Sequence, residues 1–472
     1  MSARKIFQWT IFSEKRRARL RGWGAGPGAF TPRQRNHFAT TSTTNPNRHL
    51  GFSGPGPDPR LTSHHTGRYD PDNRGSMAFP ERFSNLPDYA FPRLRKLLQS
   101  HAPNLGRGGP EITMTIGEPR HPMPDFVGPI LAANIAGFGQ YPPNDGSPEL
   151  LAAITGWLAR RYGVTLSPDR IMALNGTREG LFNAAIAVAP ETKNRKTPAF
   201  LIPNPFYQVY TVAAVTAGAE PVYVPATAAS GHLPDYASLS VETLNRTTVA
   251  YLCSPANPQG AVATKDYWAD LLHLAEKHDF RIFADECYAE IWRSAPPPGV
   301  LEVAQQIGAD PERVFSFHSL SKRSNLPGLR SGFVAGGAQG IAQIRKLRAF
   351  AGAPLPLPIQ RVSEAAWSDE AHVVASRALY QEKFQLAEQI FAGLQGFRAP
   401  EGGFFLWLPV EDGESAALKL WQQTGVRVLP GAYLSRDYNG FNPGKTYIRV
   451  ALVAAKEEMQ RGLTLLRDCL YG

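Results

Sequence analysis

Seven short apolar runs separated by stretches of helical periodicity constrain this chain more than any other feature. The runs are IMALNG (171–176), AFLIPNP (199–205), PVYVPA (221–226), TVAYLCSP (248–255), RIFADE (281–286), RVFSFHS (313–319) and GFVAG (332–336). Each is short and apolar on both alternating faces, as a strand buried on both sides must be. Between several of them lie TREGLFNAAIAVA, YWADLLHLAEKH and LEVAQQIG, which repeat their apolar residues at helical spacing. Strand and helix in alternation imply an α/β fold, a mostly parallel seven-stranded sheet covered by helices. Ligands of such sheets bind beyond the carboxyl ends of the strands.

The flanks read differently. After residue 361 a long helical pattern, SEAAWSDEAHVVASRALYQEKFQLAEQIFAGL, precedes the apolar runs GGFFLWLPV and KTYIRVALV. That order predicts a smaller α+β domain over 362–472, completed by residues 77–115, beside a large domain over 116–361. Residues 1–76 carry 13 Lys and Arg against 4 Asp and Glu, and account for most of the chain's net charge of +10. Their Gly, Pro, Ser, Thr and Asn content cannot bury enough apolar surface to offset ordering entropy, so a disordered basic leader is expected. Met77 comes directly after it, which suggests a start there; a targeting peptide is the alternative reading. The remainder is nearly neutral, which argues against a nucleic-acid partner. No apolar stretch is long enough to span a bilayer. Three distant cysteines, Cys253, Cys287 and Cys469, lack metal-ligand spacing and read as reduced thiols of a cytoplasmic protein.

Chemistry-bearing residues come after the predicted strands. NGTREG places Gly176, Thr177 and Arg178 at a helix start, suited to a phosphate or to an ordinary cap. In SPANPQG, Asn257 is either a turn residue or an amide donor toward a phenolate-like oxygen. Asp285, ending RIFAD, would cost several kcal/mol if buried alone (roughly the desolvation penalty), so it needs a protonated partner. A pyridinium N–H is one candidate; an arginine or a helix cap is the other. Three residues on stands Tyr288. SLSKRSNLPGLR then offers Ser319, Ser321 and Arg330 as hydroxyls and a guanidinium fork for a phosphate, with Lys322 among them. A buried lysine has a lowered pKa and becomes a nucleophilic amine, able to hold an aldehyde cofactor as an imine. Cys287 reads as packing and His318 as structural.

The order and spacing of these motifs over residues 80–470 resemble the class I and II aminotransferases, which share the fold type of aspartate aminotransferase and use pyridoxal 5'-phosphate. The resemblance implies that Lys322 bonds the cofactor aldehyde and moves the substrate proton. It implies Asp285 on the pyridine nitrogen, Asn257 and Tyr288 on the ring oxygen, and Tyr207 stacked on the ring. Gly176, Thr177, Arg178, Ser319, Ser321 and Arg330 would cradle the phosphate. Tyr141 would reach the phosphate of a neighbouring subunit, implying a homodimer. Arg449, in YIRVAL, would fork the substrate α-carboxylate, with the Gly117 backbone beside it.

Within that family, GTREGLF, PFYQVY, IGEPRHPMP and HSLSKRSNLPGLRSGFVAG are similar to bacterial N-succinyldiaminopimelate aminotransferases of lysine biosynthesis. That likeness implies glutamate as amino donor and N-succinyl-2-amino-6-oxopimelate as acceptor. Arg348 is the candidate for the distal carboxylate, a surface arginine being the alternative. Other amino-acid aminotransferases and carbon–sulfur lyases share the same motifs. A transcription regulator carrying such a domain is the reading from a different class, and the leader lacks a helix-turn-helix spacing.

Overall fold

A computed structural model describes residues 80–86, 88–105 and 109–472 of this chain. The leader expected over 1–76 lies outside the described residues. Twelve strands occur in order among the described residues: β1 (Ile112–Thr113), β2 (Ile171–Leu174), β3 (Ala199–Asn204), β4 (Glu220–Pro225), β5 (Thr247–Cys253), β6 (Arg281–Asp285), β7 (Val314–Ser319), β8 (Gly332–Gly336), β9 (Phe405–Pro409), β10 (Val426–Arg427), β11 (Leu429–Pro430) and β12 (Tyr447–Ala451).

Seven of them form one sheet in the order β2-β8-β7-β6-β5-β3-β4. All pairs are parallel except those made by β8, which runs antiparallel to both β2 and β7. Side-chain alternation sends the two halves of each apolar run to opposite cores. On one face Phe200, Tyr251, Phe283, Phe315 and Phe317 form a continuous aromatic row. On the other, Leu201, Ala250, Leu252, Ile282, Ala284 and Val314 pack against Trp157, Trp268 and Trp367. Register then fixes the edge that matters. Cys253 pairs with Asp285 and Asp285 with Phe317, so β5 and β6 end level, while β7 runs two residues further to Ser319, opposite Gly332.

Helices enter where the sequence caps them. Thr264 Oγ1 accepts the Tyr267 N–H at 3.1 Å to start the helix Lys265–His278, and Ser147 Oγ accepts Leu150 N–H to start Pro148–Tyr162. The long pattern after residue 361 is two helices rather than one, Leu357–Ser368 and Ala371–Ile390. The break falls at Asp369, whose carboxylate accepts the His372 N–H at 3.0 Å, a side-chain bond that competes with helix continuation.

A three-stranded antiparallel sheet, β11-β12-β9, holds Arg449 opposite Trp407 and Leu429. Its core runs through Phe404, Leu406, Ile448, Val450 and Leu463. The segment preceding the large sheet joins it: β1 pairs in parallel with β10, and the helix Ala90–Leu98 packs Leu94 and Leu98 against Trp421 and Leu429.

The aromatic row supports the strand that carries Asp285. Phe283 is fully buried and meets Tyr251, Phe315 and Phe317 within 5.2–5.4 Å between ring centroids. Phe283→Ala is expected to lower the unfolding free energy by about 3–5 kcal/mol through lost burial and a residual cavity, read from the denaturant midpoint.

Candidate active site

The strand ends of the large sheet and the edge of the three-stranded sheet enclose a cavity of about 330 Å³. Thr177, Arg178, Tyr207, Asn257, Asp285, Tyr288, Ser319, Ser321, Lys322 and Arg330 line it from the large sheet; Gly117 and Arg449 line it from segments before and after that sheet in the chain. Gly176 stands just behind the lining, against Arg330, and two other expected residues lie elsewhere. Tyr141 is fully exposed. Arg348 does not line the cavity, nor is it a surface residue. It is fully buried, donating from Nε to Glu179 Oε1 at 2.6 Å and from Nη1 to Ala173 O at 2.9 Å. That ion pair occupies its fork, which corrects the expectation that it meets a distal carboxylate.

Lys322 sits in the short helix Leu320–Arg323, directly after β7. Ser319 caps the turn, its Oγ accepting the Ser321 N–H at 3.1 Å. The ammonium donates to Gly117 O and lies 5.9 Å from the Tyr288 ring centroid and 5.2 Å from that of Phe404. Burial draws its pKa down to about 8, with Arg449 and Arg330 adding to the fall and Cys287 and Glu118 opposing it.

Asp285 is 5% exposed and has no cationic partner among the described residues. Tyr210 Oη donates to its Oδ2 at 2.7 Å and the Cys287 N–H to its Oδ1 at 3.4 Å. Burial raises its pKa, and the hydrogen bonds from Cys287 and Tyr210 act against that rise. The sequence did not reveal Tyr210, because its partner is 75 residues away and nothing in NPFYQVY marks the hydroxyl as buried.

Arg449 is likewise desolvated, 5% exposed on β12. Nη1 donates to Asn257 Oδ1 at 3.0 Å and Nη2 to Thr115 O at 2.8 Å, while Nε finds no partner. Burial lowers its pKa to about 10. No carboxylate pairs with it among the described residues. Because Asn257 accepts from Arg449 through Oδ1, its NH₂ is the amide face left to donate.

Gly176 precedes the helix Thr177–Val188 with φ 78°, and a Cβ there would stand 2.6 Å from Arg330 Nη2. Only glycine lets that arginine lie against the helix start. Arg330 is itself left-handed, φ 55°, with Nη1 on Pro327 O at 2.9 Å. Hydroxyls of Thr177, Ser319 and Ser321, an arginine fork and free N–H groups of a helix start thus share one end of the cavity, an arrangement suited to a phosphate. Arg178 Nε donates to Tyr207 Oη at 2.6 Å.

The family description "Aminotransferase class I and II" matches residues 111–465. The chain belongs to the class I and II aminotransferases. An LL-diaminopimelate aminotransferase of Desulforudis audaxviator is 33% identical over 410 residues, covering 84% of this chain and 99% of that protein. One from Dehalococcoides mccartyi is 30% identical over 403 residues, 83% of this chain and 99% of that protein. Among solved structures, an aminotransferase from Neisseria meningitidis superposes with TM-score 0.79 at 37% identity, over 83% of this chain and 99% of that one. Aminotransferase AspB from Helicobacter pylori gives 0.75 at 34%, with the same coverage.

Class I and II aminotransferases depend on pyridoxal 5'-phosphate, and the residues present fit it. A buried carboxylate lacking a cation suits a protonated ring nitrogen, and the glycine-flanked arginine with its hydroxyls suits the phosphate. The amine of Lys322, largely neutral at mildly alkaline pH, suits an aldehyde.

The amine itself is testable without cofactor. In cofactor-free protein, acylation of Lys322 by an amine-directed reagent is expected to rise with pH about a midpoint near 8. Solvated lysines titrate at about 10.4. Peptide mapping at successive pH values reads the difference, and a Lys322 midpoint near the solvated value contradicts it.

Proposed function

We propose that this aminotransferase moves an amino group between glutamate and an oxo-acid or semialdehyde that carries a second acidic group. The acceptor in this reading has the diaminopimelate skeleton, N-succinyl-2-amino-6-oxopimelate being the form that the sequence motifs suggest. The observation that carries the reading is Arg449, a buried guanidinium held by two neutral oxygens and lacking a carboxylate. A cation so desolvated is costly unless an anion arrives, and an amino acid brings one at the carbon that reacts.

Four cations line the cavity among the described residues: Arg178, Lys322, Arg330 and Arg449. In this reading Arg330 takes the phosphate with Gly176, Thr177, Ser319 and Ser321, and Arg449 takes the α-carboxylate beside Gly117. Arg348 being spent on Glu179, this reading moves Arg178 from the phosphate cradle expected of it to the distal acid, its Nη groups remaining beside the Nε bond to Tyr207. Bound pyridoxal 5'-phosphate supplies an electron sink for the carbon that loses its proton. Asp285 would keep the proton on the ring nitrogen. Asn257 and Tyr288 would donate toward the ring oxygen. Tyr207 would cover the ring face. Lys322 Nζ would accept the proton that leaves the substrate α-carbon, which its lowered pKa suits.

We also infer a homodimer. Tyr141 is fully exposed on a segment where Ile135 and Phe138 are 64% and 57% exposed, an apolar surface that a second copy would cover while Tyr141 reached its phosphate.

Within the diaminopimelate skeleton, the names of the curated relatives favour an unmodified far amine and the motifs favour a succinylated one. A half-reaction screen separates them. Holoenzyme is mixed with glutamate, LL-diaminopimelate, N-succinyl-LL-diaminopimelate, alanine or a thioether amino acid, and the cofactor spectrum is monitored. Glutamate and one diaminopimelate form are expected to convert it. Conversion by neutral donors alone sinks the reading, and pyruvate release from the thioether points to a lyase. Arg449→Lys is expected to raise KM for every donor by about tenfold or more, since a point charge replaces a fork. Equal KM values remove Arg449 from the site.

A further inference from the structure

The floor of the site carries one hydrogen bond that the roles assigned above leave unused. Tyr210 Oη donates to Asp285 Oδ2 at 2.7 Å, with the tyrosine 1% exposed. Its ring cannot swing freely. It lies flat on Tyr251, centroids 4.4 Å apart and planes within 12°, and the Tyr207 ring meets it edge-on at 5.7 Å. Tyr251 is pinned in turn, donating to Leu181 O at 2.9 Å. The hydroxyl is therefore delivered to Asp285 by packed aromatic rings, not by a mobile side chain.

What Asp285 receives is spare. The other oxygen has a long bond from the Cys287 N–H, and no lysine or arginine pairs with the carboxylate among the described residues. A buried carboxylate is driven toward its neutral form, and donors to its oxygens oppose that drive. A neutral Asp285 would have no charge with which to keep a ring nitrogen protonated.

We propose that Tyr210 is a positioning residue of this transaminase: its hydroxyl holds the Asp285 carboxylate ionised and in one orientation, and so sets how firmly Asp285 retains the proton on the cofactor's ring nitrogen. This rests on the functional reading above. The rival explanation is packing alone, a buried phenol that takes the nearest acceptor. The two differ in whether the ring nitrogen matters.

The test uses the full chain, freed of cofactor, and two ligands: pyridoxal 5'-phosphate and its analogue with carbon in place of the ring nitrogen. Tyr210→Phe keeps the ring and its stack on Tyr251. It is expected to bind pyridoxal 5'-phosphate about tenfold more weakly than the parent chain, the loss of one hydrogen bond to a charged group. The analogue should bind both chains equally, and Asp285→Asn should show the same selectivity with a larger loss. An equal loss for both ligands assigns Tyr210 to packing and overturns the proposal, as does no loss for either. If circular dichroism finds Tyr210→Phe unfolded, 3-fluorotyrosine at position 210 keeps the shape and makes the hydroxyl more acidic. The pH midpoint of the bound-cofactor absorbance is then expected to move, and an unmoved midpoint overturns the proposal. If the parent chain binds no pyridoxal 5'-phosphate, the functional reading falls and this inference with it, an outcome visible before any variant is compared.

Discussion

Two desolvated charges of opposite sign face one cavity without meeting. Asp285, from the large sheet, and Arg449, from the small one, are each 5% exposed, and each is held only by neutral partners. Burying an ion costs several kcal/mol after relaxation, and pairing these two would recover part of that. The fold keeps them apart instead. Asp285 is anchored at the end of β6 by the register Cys253–Asp285–Phe317, and Arg449 lies within β12 between Trp407 and Leu429. The rest of the molecule is the support for that separation: aromatic packing under one charge, a three-stranded sheet under the other, and a lysine amine between chemistry of both signs.

That separation explains why neighbouring groups are so constrained. Asn257 cannot turn its amide freely, because Oδ1 is committed to Arg449. Arg330 can approach the helix start only because position 176 has no Cβ. Burial and two arginines draw the Lys322 pKa down to about 8, although Cys287 and Glu118 pull the other way. Each of these is a preorganised electrostatic state, built before any ligand arrives.

Much of this was legible in the sequence, for a physical reason. Strands buried on both faces read as unbroken apolar runs, so all seven of the large sheet were visible, along with the polar residues that end them. The direction of β8 was not, since GFVAG reads the same in either sense. The helix break at Asp369 was hidden because apolar spacing continues across it and the capping bond is local. Arg348 was misread although a signal existed. It lies four residues after Ile344 and seven after Ile341, both fully buried, on the inward face of its helix. An arginine on such a face needs an acid within reach, and the half-buried Glu179 in GTREGLF supplies it. Tyr210 had no comparable signal; a tyrosine in an apolar stretch says nothing of where its oxygen ends.

The backbone at Thr115–Gly117 is more than a connector leaving β1. Met114 is tied on both sides, donating to Arg427 O and accepting from Ala451 N–H. Just beyond it, the carbonyl of Thr115 takes Arg449 and that of Gly117 takes Lys322. Two peptide oxygens thus act as surrogate counter-ions for two cations of the cavity. In the proposed reading a carboxylate arriving at Arg449 displaces a main-chain oxygen, so admission of the ligand and reseating of this short segment become a single exchange of partners.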